Sequence, residues 1–395
     1  MRILHHAARY PPAIGGAERF CAGLARWQAA QGHDVQVLTL RALGEEELWG
    51  GVAHAPRATA LGPSDRDGRV QVRRLAPRPL GSSLLHLLGH LELRSVTCAL
   101  GPDLVALALR AARRSDVVHA HGVPGTPAFL AWLAARAARR PFVVTPYFHT
   151  GENVYQERPV LGLLRRADAV VAVTAAERDA LVARGVAAER IACTSAALDA
   201  ETGTADAEAP HAVRAALGLA PDTPLVCVLG RKAASKGLDV LLGALPHLRH
   251  RPAPTVVLAG PSTAWADALP RPAGLRVVDL PPLSERQKTA LLAAADLLVL
   301  PSRNESFGIV FLEAWAAGTP VVGAAIPAVE EVLDDPAATF RPDDVRDLAH
   351  TVDRMLADPA HGRRQVASGR ARIASAHGWD RVGRDVEAAY RRLLR

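Results

Sequence analysis

Short runs of consecutive apolar residues alternate along this chain with longer stretches in which apolar residues return every three or four positions. The runs read as strands buried on both faces, and the longer stretches as helices, which together predict an α/β protein with parallel sheets. In the first half, strands are predicted at Arg2–Ala7, Val35–Leu40, Val70–Leu75, Asp116–Ala120, Phe142–Thr145, Ala169–Val173 and Ile191–Thr194. In the second half they are predicted at Leu225–Leu229, Thr255–Ala259, Leu275–Val278, Leu297–Leu300 and Pro320–Gly323. Helices fill the gaps, among them Ala17–Gln31, Ala175–Arg184 and Leu238–Leu248. The alternation runs twice, so two doubly wound units are expected, with no short internal repeat. Between them Asp199–Pro210 is small, polar and acidic, the composition of a linker. A second flexible stretch, rich in Gly and charge, runs from Arg41 to Arg69.

Length agrees with two domains, since 395 residues exceed one ordinary domain. At 49% hydrophobic and 22% charged, the composition is that of a globular protein with ample core. The net charge of +7 would suit nucleic acid, anionic membrane or an anionic small molecule. Aromatic residues make up only 4% and are not interleaved with a basic stripe, so no nucleic-acid partner is expected. Solvated arginine-rich faces explain the charge more simply. Cys21, Cys98, Cys193 and Cys227 are scattered without metal or redox spacing, which suits free thiols in a reducing compartment. The N-terminal Met1-Arg2-Ile3-Leu4-His5-His6 does not read as a signal peptide, and no apolar run approaches a membrane span. A cytoplasmic location is expected. The leucine- and arginine-rich segment Leu80–Arg114 carries two readings. One is helices packed on a sheet with arginines in the last turn. The other is a basic amphipathic surface in weak peripheral contact with the inner face of the membrane.

The candidate chemistry begins with lysine. The chain has only Lys232, Lys236 and Lys288, and two of these lie in one strand-to-helix turn, Gly230-Arg231-Lys232-Ala233-Ala234-Ser235-Lys236-Gly237. A compact ammonium on a flexible stem suits a diphosphate oxygen. Cations at a helix start oppose the helix dipole, a cost that an anion held between Arg231 and Lys236 offsets. A solvated helix start is the plainer reading. Glu305 and Glu313 lie eight residues apart around a second turn, Pro301–Gly308. Read as helix, eight residues rise roughly 12 Å and turn the side chains apart by about 80°. A glycosidase pair must converge on one bond, so that reading is disfavoured. Two anchors for the hydroxyls of an elongated nucleotide sugar fit the spacing better. Two surface glutamates near a helix start remain the plain alternative.

In the first half, Gly15-Gly16 between a strand and a helix would let backbone approach an anion, or would simply make a tight turn. It is not the G-x-G-x-x-G fingerprint of dinucleotide sites. His119 and His121 end one strand and Tyr147-Phe148-His149 follows the next, at the ends that face a ligand crevice. A metal pair is conceivable here, but no carboxylate or cysteine is expected to complete a set. His119 and His121 are expected on opposite faces of their strand, unable to enter one site together. His149, in a loop, is therefore the better functional candidate. Asp65-Arg66-Asp67 mimics the short acidic motif of metal-dependent sugar transferases, yet reads as a solvated loop.

Assembled, these residues resemble the retaining GT-B glycosyltransferases, especially glycosyltransferase family 4 (group 1), over nearly the whole chain. The second half carries the more specific match: Leu229-Gly230-Arg231, Ser235-Lys236-Gly237-Leu238-Asp239, Ala294-Ala295-Asp296, Leu300-Pro301-Ser302, Glu305-Ser306-Phe307-Gly308, Glu313-Ala314 and Gly318-Thr319-Pro320-Val321-Val322. The first half matches through Gly15-Gly16, His119-Ala120-His121-Gly122 and Ala167-Asp168. The resemblance implies two Rossmann-like domains facing across a cleft: an acceptor domain over 1–200, a donor domain over 201–376, and a C-terminal helix, 377–395, returning to the first domain. It implies hexosyl transfer from a nucleotide diphosphate sugar to an acceptor hydroxyl, with retention, by front-side attack, and with no metal or other cofactor. Arg231 and Lys236 would hold the diphosphate with Gly230, Glu313 the ribose, and Glu305 the transferred sugar. The amides of Ser306, Phe307, Gly308, Ile309 and Val310 would approach sugar and phosphate. Gly15 and Gly16 would lie against the donor phosphate, and His149 would sit near the reacting sugar as a catalytic residue with Glu305, Arg231 and Lys236. His121 and Tyr147 are the acceptor-side candidates. The acceptor itself, whether glycan, lipid-linked sugar or small molecule, is not legible. Two features depart from the family pattern: Ala196-Ala197-Leu198-Asp199 replaces the usual Asn-Gly-Val-Asp, and His149 lies further from its strand than in many members. The alternatives are a nucleotide-sugar epimerase or hydrolase on the same fold, and a binding protein that transfers nothing.

Overall fold

The computed structural model describes residues 1–43, 61–76, 102–199, 202–204, 206 and 208–395. They divide into two compact units, Met1–Ala197 with Trp379–Arg395, and Leu198–Gly378. Of the segment Leu80–Arg114, positions 80–101 lie outside the described residues, as do Cys98 and positions 44–60 of the second flexible stretch. The described remainder forms the helix Pro102–Arg113, which buries Leu104, Ala108, Ala111 and Ala112 in the core and holds Arg110 and Arg113 in its last turn. No helix among the described residues is long and apolar enough to cross a membrane.

The first unit is an eight-stranded sheet of β1 (Arg2–Ala7), β2 (Asp34–Leu40), β3 (Ser64–Asp67), β4 (Val70–Leu75), β5 (Val117–His121), β6 (Phe142–Thr145), β7 (Ala169–Ala172) and β8 (Ile191–Cys193). Its order is β3-β4-β2-β1-β5-β6-β7-β8, and every neighbouring pair is parallel except β3 with β4. β5, β6 and β7 are buried along their whole length. Helices cover both faces of such a strand, which is why its sequence is an apolar run rather than an alternation.

β3 overturns one expectation. Asp65-Arg66-Asp67 is an edge strand, not a solvated loop. Asp65 pairs with Arg74, and Asp67 accepts from the Tyr10 hydroxyl at 2.7 Å and from Arg26 Nε at 2.8 Å. An edge strand with polar side chains on both faces shows no apolar pattern to read.

The second unit is a parallel sheet of β9 (Leu225–Leu229), β10 (Thr255–Ala259), β11 (Val277–Leu280), β12 (Leu297–Leu300), β13 (Val321–Ala324) and β14 (Thr339–Phe340), in the order β11-β10-β9-β12-β13-β14. β11 begins two residues later than the apolar run predicts, and β14 is too short to leave a pattern. Of the linker stretch, Ala209 and Pro210 already belong to the helix Ala209–Ala216, with Pro in the first turn where its missing N–H costs nothing.

One device recurs in both sheets. Asp116, Asp168 and Asp296 each stand one residue before a strand. Each carboxylate accepts from the amide at the head of the neighbouring strand: Arg2 at 2.8 Å, Phe142 at 2.8 Å and Leu225 at 2.7 Å. The Ala167-Asp168 and Ala295-Asp296 motifs therefore fix strand register.

The C-terminal helix, Trp379–Leu393, packs on the helix Gly16–Ala30 within the first unit. The seam alternates large and small. The Trp379 ring lies where a side chain at Gly23 would stand, and the Trp27 ring where one at Gly383 would stand. Trp27 Nε1 donates to Asp380 at 2.8 Å, and Glu387 lies 2.5 Å from His33 Nε2.

In both sheets the strand order reverses once, between β1 and β5 in the first and between β9 and β12 in the second. Ligands of open α/β sheets bind outside the carboxyl ends of the strands at such points. The turn after β1 holds Gly15-Gly16 and β5 ends on His121; the turns after β9 and β12 hold Arg231–Lys236 and Glu305–Gly308.

Candidate functional site

On the second unit, the turn after β9 runs through a short 3-10 segment, Ala234–Lys236, into Gly237 and the helix Leu238–Ala244. Gly237 has φ 64° and lies so close to the Pro301 carbonyl that any side chain would collide with it. Glycine is required there on both counts, and it lets the two turns meet. Arg303 ties them further. Its guanidinium takes Asp239 at 2.8 and 2.9 Å, Asp343 at 2.6 Å and the Ala234 carbonyl at 2.6 Å. Hydrogen bonding to Asp239 comes first among the causes that raise the Arg303 pKa, and that of Asp239 falls in return. Arg303 is a clamp that the sequence did not announce.

The clamp brings Lys236 Nζ to 2.5 Å from Glu305 Oε1, an oxygen that also accepts from Ser302 Oγ at 3.0 Å. Lys232, three residues into the same turn, is spent otherwise. It is buried and donates to Asp279 and to the Leu280 carbonyl, both at 3.1 Å. Arg231 is half-buried beside it.

Glu305 does not stand on a helix, and the helical reading of the two glutamates is corrected. The helix is Ile309–Ala317, and Gly308 at its N-cap has φ 83°. The chain turns there, so Glu305 lies in the preceding loop and Glu313 on the second turn of the helix. Their carboxylates have different cations. Glu313 is buried and meets Lys288 Nζ at 2.8 Å, from the helix Glu285–Ala294. Lys288 also reaches Glu285 at 2.8 Å. That helix is fixed by a capping box between Ser284 and Gln287. The amides of the first turn at Ile309 and Val310 point out of a helix N-terminus, where an anion is favoured.

On the first unit, Gly15 has extended backbone, but a side chain there would strike the Glu18 carboxylate. Glu18 is buried and pairs with Arg9 at 2.6 Å, so an ion pair props the turn from below. At the end of β5 the expectation of opposite faces fails. Residues two apart in a strand share a face, and the His119 and His121 rings lie 4.2 Å apart. His5 of β1 joins them, with Nδ1 2.9 Å from His121 Nε2. A cysteine also arrives: the ligand atoms of His5, Cys21 and His121 lie within 4.8 Å of one another. The distance along the chain hid that grouping. Both His5 nitrogens already have hydrogen-bond partners, and burial raises the Cys21 thiol far above its usual range. Burial likewise depresses His119 and His121 well below the usual histidine pKa and His5 to about 4. The cluster is neutral.

Tyr147, with φ 50°, brings its hydroxyl 3.5 Å from His121 Nδ1. His149 stays within its own loop, with Nδ1 3.3 Å from Glu152 and its ring 5.1 Å from that of Tyr155. The loop is anchored by buried Glu177, whose two oxygens accept the amides of Phe148 at 2.6 Å and Val173 at 2.7 Å.

Residues 211–372 match the family model for glycosyl transferases group 1, and residues 15–196 that for a glycosyl transferase 4-like domain. D-inositol 3-phosphate glycosyltransferase of Xylanimonas cellulosilytica is 36% identical over 298 residues, 67% of this chain and 69% of that protein. The chain belongs to the group 1 glycosyltransferases. A glycogen synthase of Mycobacterium tuberculosis is 29% identical over 99% of this chain and 94% of its own length. Among solved structures, Anabaena Alr3699/HepE in complex with UDP and glucose superposes with TM-score 0.76 at 21% identity, covering 100% of both chains. The fold is GT-B, here two parallel-sheet α/β units.

In this glycosyltransferase, then, the sequence-predicted residues fall into three groups. Lys236 and Glu305 touch directly. His121 and Tyr147 meet at the end of β5. Glu313 stands apart from Glu305 with a lysine of its own. The residues that sequence reasoning passed over are Lys288, Arg303, His5, Gln28 and Glu177. Only Lys288 left a signal, as the third lysine in an arginine-rich chain.

Proposed function

We propose that the enzyme moves a hexosyl group from a nucleotide diphosphate sugar to an acceptor hydroxyl, with retention and without a metal. The contact between Lys236 and Glu305 carries this reading. It sets a cation and a carboxylate side by side at the switch point of a doubly wound sheet. A ligand bearing phosphate and hydroxyls divides such a pair, its phosphate oxygen taking the ammonium and its hydroxyl the carboxylate.

In this reading Lys236 and Arg231 hold the leaving diphosphate, supported by Gly230 and by the amides from Ser306 and Phe307 through Gly308, Ile309 and Val310. Glu305 binds the transferred sugar and Glu313 the ribose. On the first unit Gly15 and Gly16 admit an anion close to the backbone, while His149, His121 and Tyr147 contact substrate hydroxyls. The acceptor oxygen attacks the anomeric carbon on the face from which the diphosphate leaves. The bond from that carbon to the diphosphate breaks through an oxocarbenium-like state, and the acceptor proton passes to the departing phosphate oxygen. Fixed cations and a helix N-terminus aimed at the developing charge replace a metal.

A thermal-shift screen against UDP-, GDP-, ADP- and dTDP-sugars identifies the donor, because a bound ligand raises apparent stability. Donor-dependent release of nucleoside diphosphate then tests transfer. Turnover is expected to need an acceptor and to persist in excess chelator. Efficient turnover without acceptor, or abolition by chelator, would overturn the reading. The two relatives act, by their names, on D-inositol 3-phosphate and in glycogen synthesis, so inositol phosphates and glucans are the first acceptors to try.

A further inference from the structure

His121 ends a chain of hydrogen bonds whose every member is more than nine-tenths buried. Gln28 and His5 have no exposed surface and His121 is 5% exposed. Gln28 Oε1 lies 2.7 Å from His5 Nε2, and His5 Nδ1 lies 2.9 Å from His121 Nε2. A carbonyl oxygen can only accept, so His5 carries its proton on Nε2. Burial keeps both rings neutral, and a neutral imidazole has one N–H. His5 Nδ1 must then accept, and His121 Nε2 must donate. The lone pair of His121 is left on Nδ1, on the side of the Tyr147 hydroxyl. At 3.5 Å that hydroxyl is at the outer limit of a hydrogen bond.

The orientation of the Gln28 amide decides this sequence, and the amide is hydrogen-bonded in turn to the C-terminal helix. Gln28 Nε2 faces the Tyr390 hydroxyl at 3.5 Å, and that oxygen lies 2.5 Å from His119 Nδ1. His119 Nε2 lies 2.8 Å from Thr145 Oγ1. Tyr390 has one proton. If it donates to His119, its oxygen accepts from the Gln28 amide, and His119 Nε2–H donates to Thr145. All polar atoms along the path are then satisfied in one direction.

We propose that Gln28 and His5 are positioning residues that hold His121 with its proton on Nε2, presenting Nδ1 as a hydrogen-bond acceptor to a substrate hydroxyl, with the Gln28 amide hydrogen-bonded in turn to Tyr390 of the C-terminal helix. This rests on the reading of His121 as a substrate contact. The assignment links the returning helix to the chemistry through four side chains instead of through bulk packing.

The test uses the full chain labelled with ¹⁵N-histidine. Long-range ¹H–¹⁵N correlations report which nitrogen of each ring carries the proton. Wild-type His121 is expected as the Nε2–H form, and a proton on Nδ1 overturns the assignment without need of any variant. Gln28→Leu is expected to give mixed forms of His121 and to lower kcat about tenfold or more with little change in donor KM. An unchanged His121 tautomer in Gln28→Leu would sink the positioning role. A shifted tautomer at undiminished kcat would instead remove His121 from the reaction, and so separates failure of this proposal from failure of the reading beneath it.

Discussion

The two switch points of this glycosyltransferase are built from different materials. At the β9/β12 point the polar groups are charged and paired, Lys236 with Glu305 and Lys288 with Glu313. At the β1/β5 point the buried Arg9–Glu18 pair lies under the glycine turn, and beside it neutral rings, an amide and hydroxyls are linked by hydrogen bonds and almost wholly buried. Ion pairs that a ligand can divide suit a substrate part that is itself charged. A neutral network, which would lose much by admitting a charge, suits an uncharged hydroxyl.

Removing the charge from the second unit should give the largest effect. Lys236→Ala is expected to lower kcat about 10²–10³-fold, the usual loss when one fixed donor to a developing anion is removed. Lys232→Ala, in the same turn, is expected to lower stability instead, since its ammonium serves Asp279 and the Leu280 carbonyl. Steady-state kinetics and denaturant melts on both variants check the pair of outcomes. Equal kinetic losses would dissolve the distinction between the lysines.

Acid tests the other side of the comparison. His5 is depressed to about 4 and His6 to about 3 from 6.5, chiefly by burial, and His6 further by His5. The unfolded chain therefore binds more protons than the folded one between those values. Stability should be full above pH 6.5 and fall as the pH drops toward 4, by roughly 3 kcal/mol for His5 alone. Hydrogen exchange should show the amides of β1 and β5 losing protection in that window before those of β9 and β12. Simultaneous loss would mean that acid sensitivity does not reside in the histidine network.

A smaller effect is expected from the seam that carries the returning helix. Trp379 is half-buried over Gly23, so Trp379→Ala should cost about 2–3 kcal/mol, somewhat below a fully buried tryptophan. The loss should appear in unfolding of the first unit while donor affinity holds. Loss of nucleotide binding would show that the seam supports more than the first sheet.

The comparison also marks what could be read from the chain. Fully buried parallel strands print as apolar runs, so most of the sheet was legible. The edge strand β3 and the two-residue β14 were not, for want of any pattern. The second unit's candidate residues drew attention because they gather in two strand-to-helix turns that carry Gly230, Gly237 and Gly308. Even there the geometry was misjudged, since Gly308 in the left-handed region starts the helix only after Glu305. The first unit's site depends on contacts across β1, β5 and the two ends of the chain. His5, Gln28 and Tyr390 carry no local signal, and His119 and His121 required only the correct use of a period of two. Cys21 reaches the histidines through the fold, where spacing along the chain says nothing.

The subtlest prediction concerns the third lysine. Lys288 Nζ meets one oxygen of buried Glu313 at 2.8 Å, so the lysine helps to orient that carboxylate. Lys288→Met keeps the length of the stem and removes the charge. Donor KM should rise about tenfold with kcat held, the signature of lost uniform binding. The change should also narrow the preference for a ribonucleoside diphosphate over its 2′-deoxy counterpart, because a displaced Glu313 no longer distinguishes them. Competition by UDP and dUDP, or by whichever nucleotide pair the thermal screen selects, measures that preference. If Lys288→Met weakens both nucleotides equally, Lys288 supports the helix Ile309–Ala317 rather than the orientation of Glu313. If only the ribonucleotide weakens, Lys288 and Glu313 serve the ligand directly, as Lys236 and Glu305 are proposed to do.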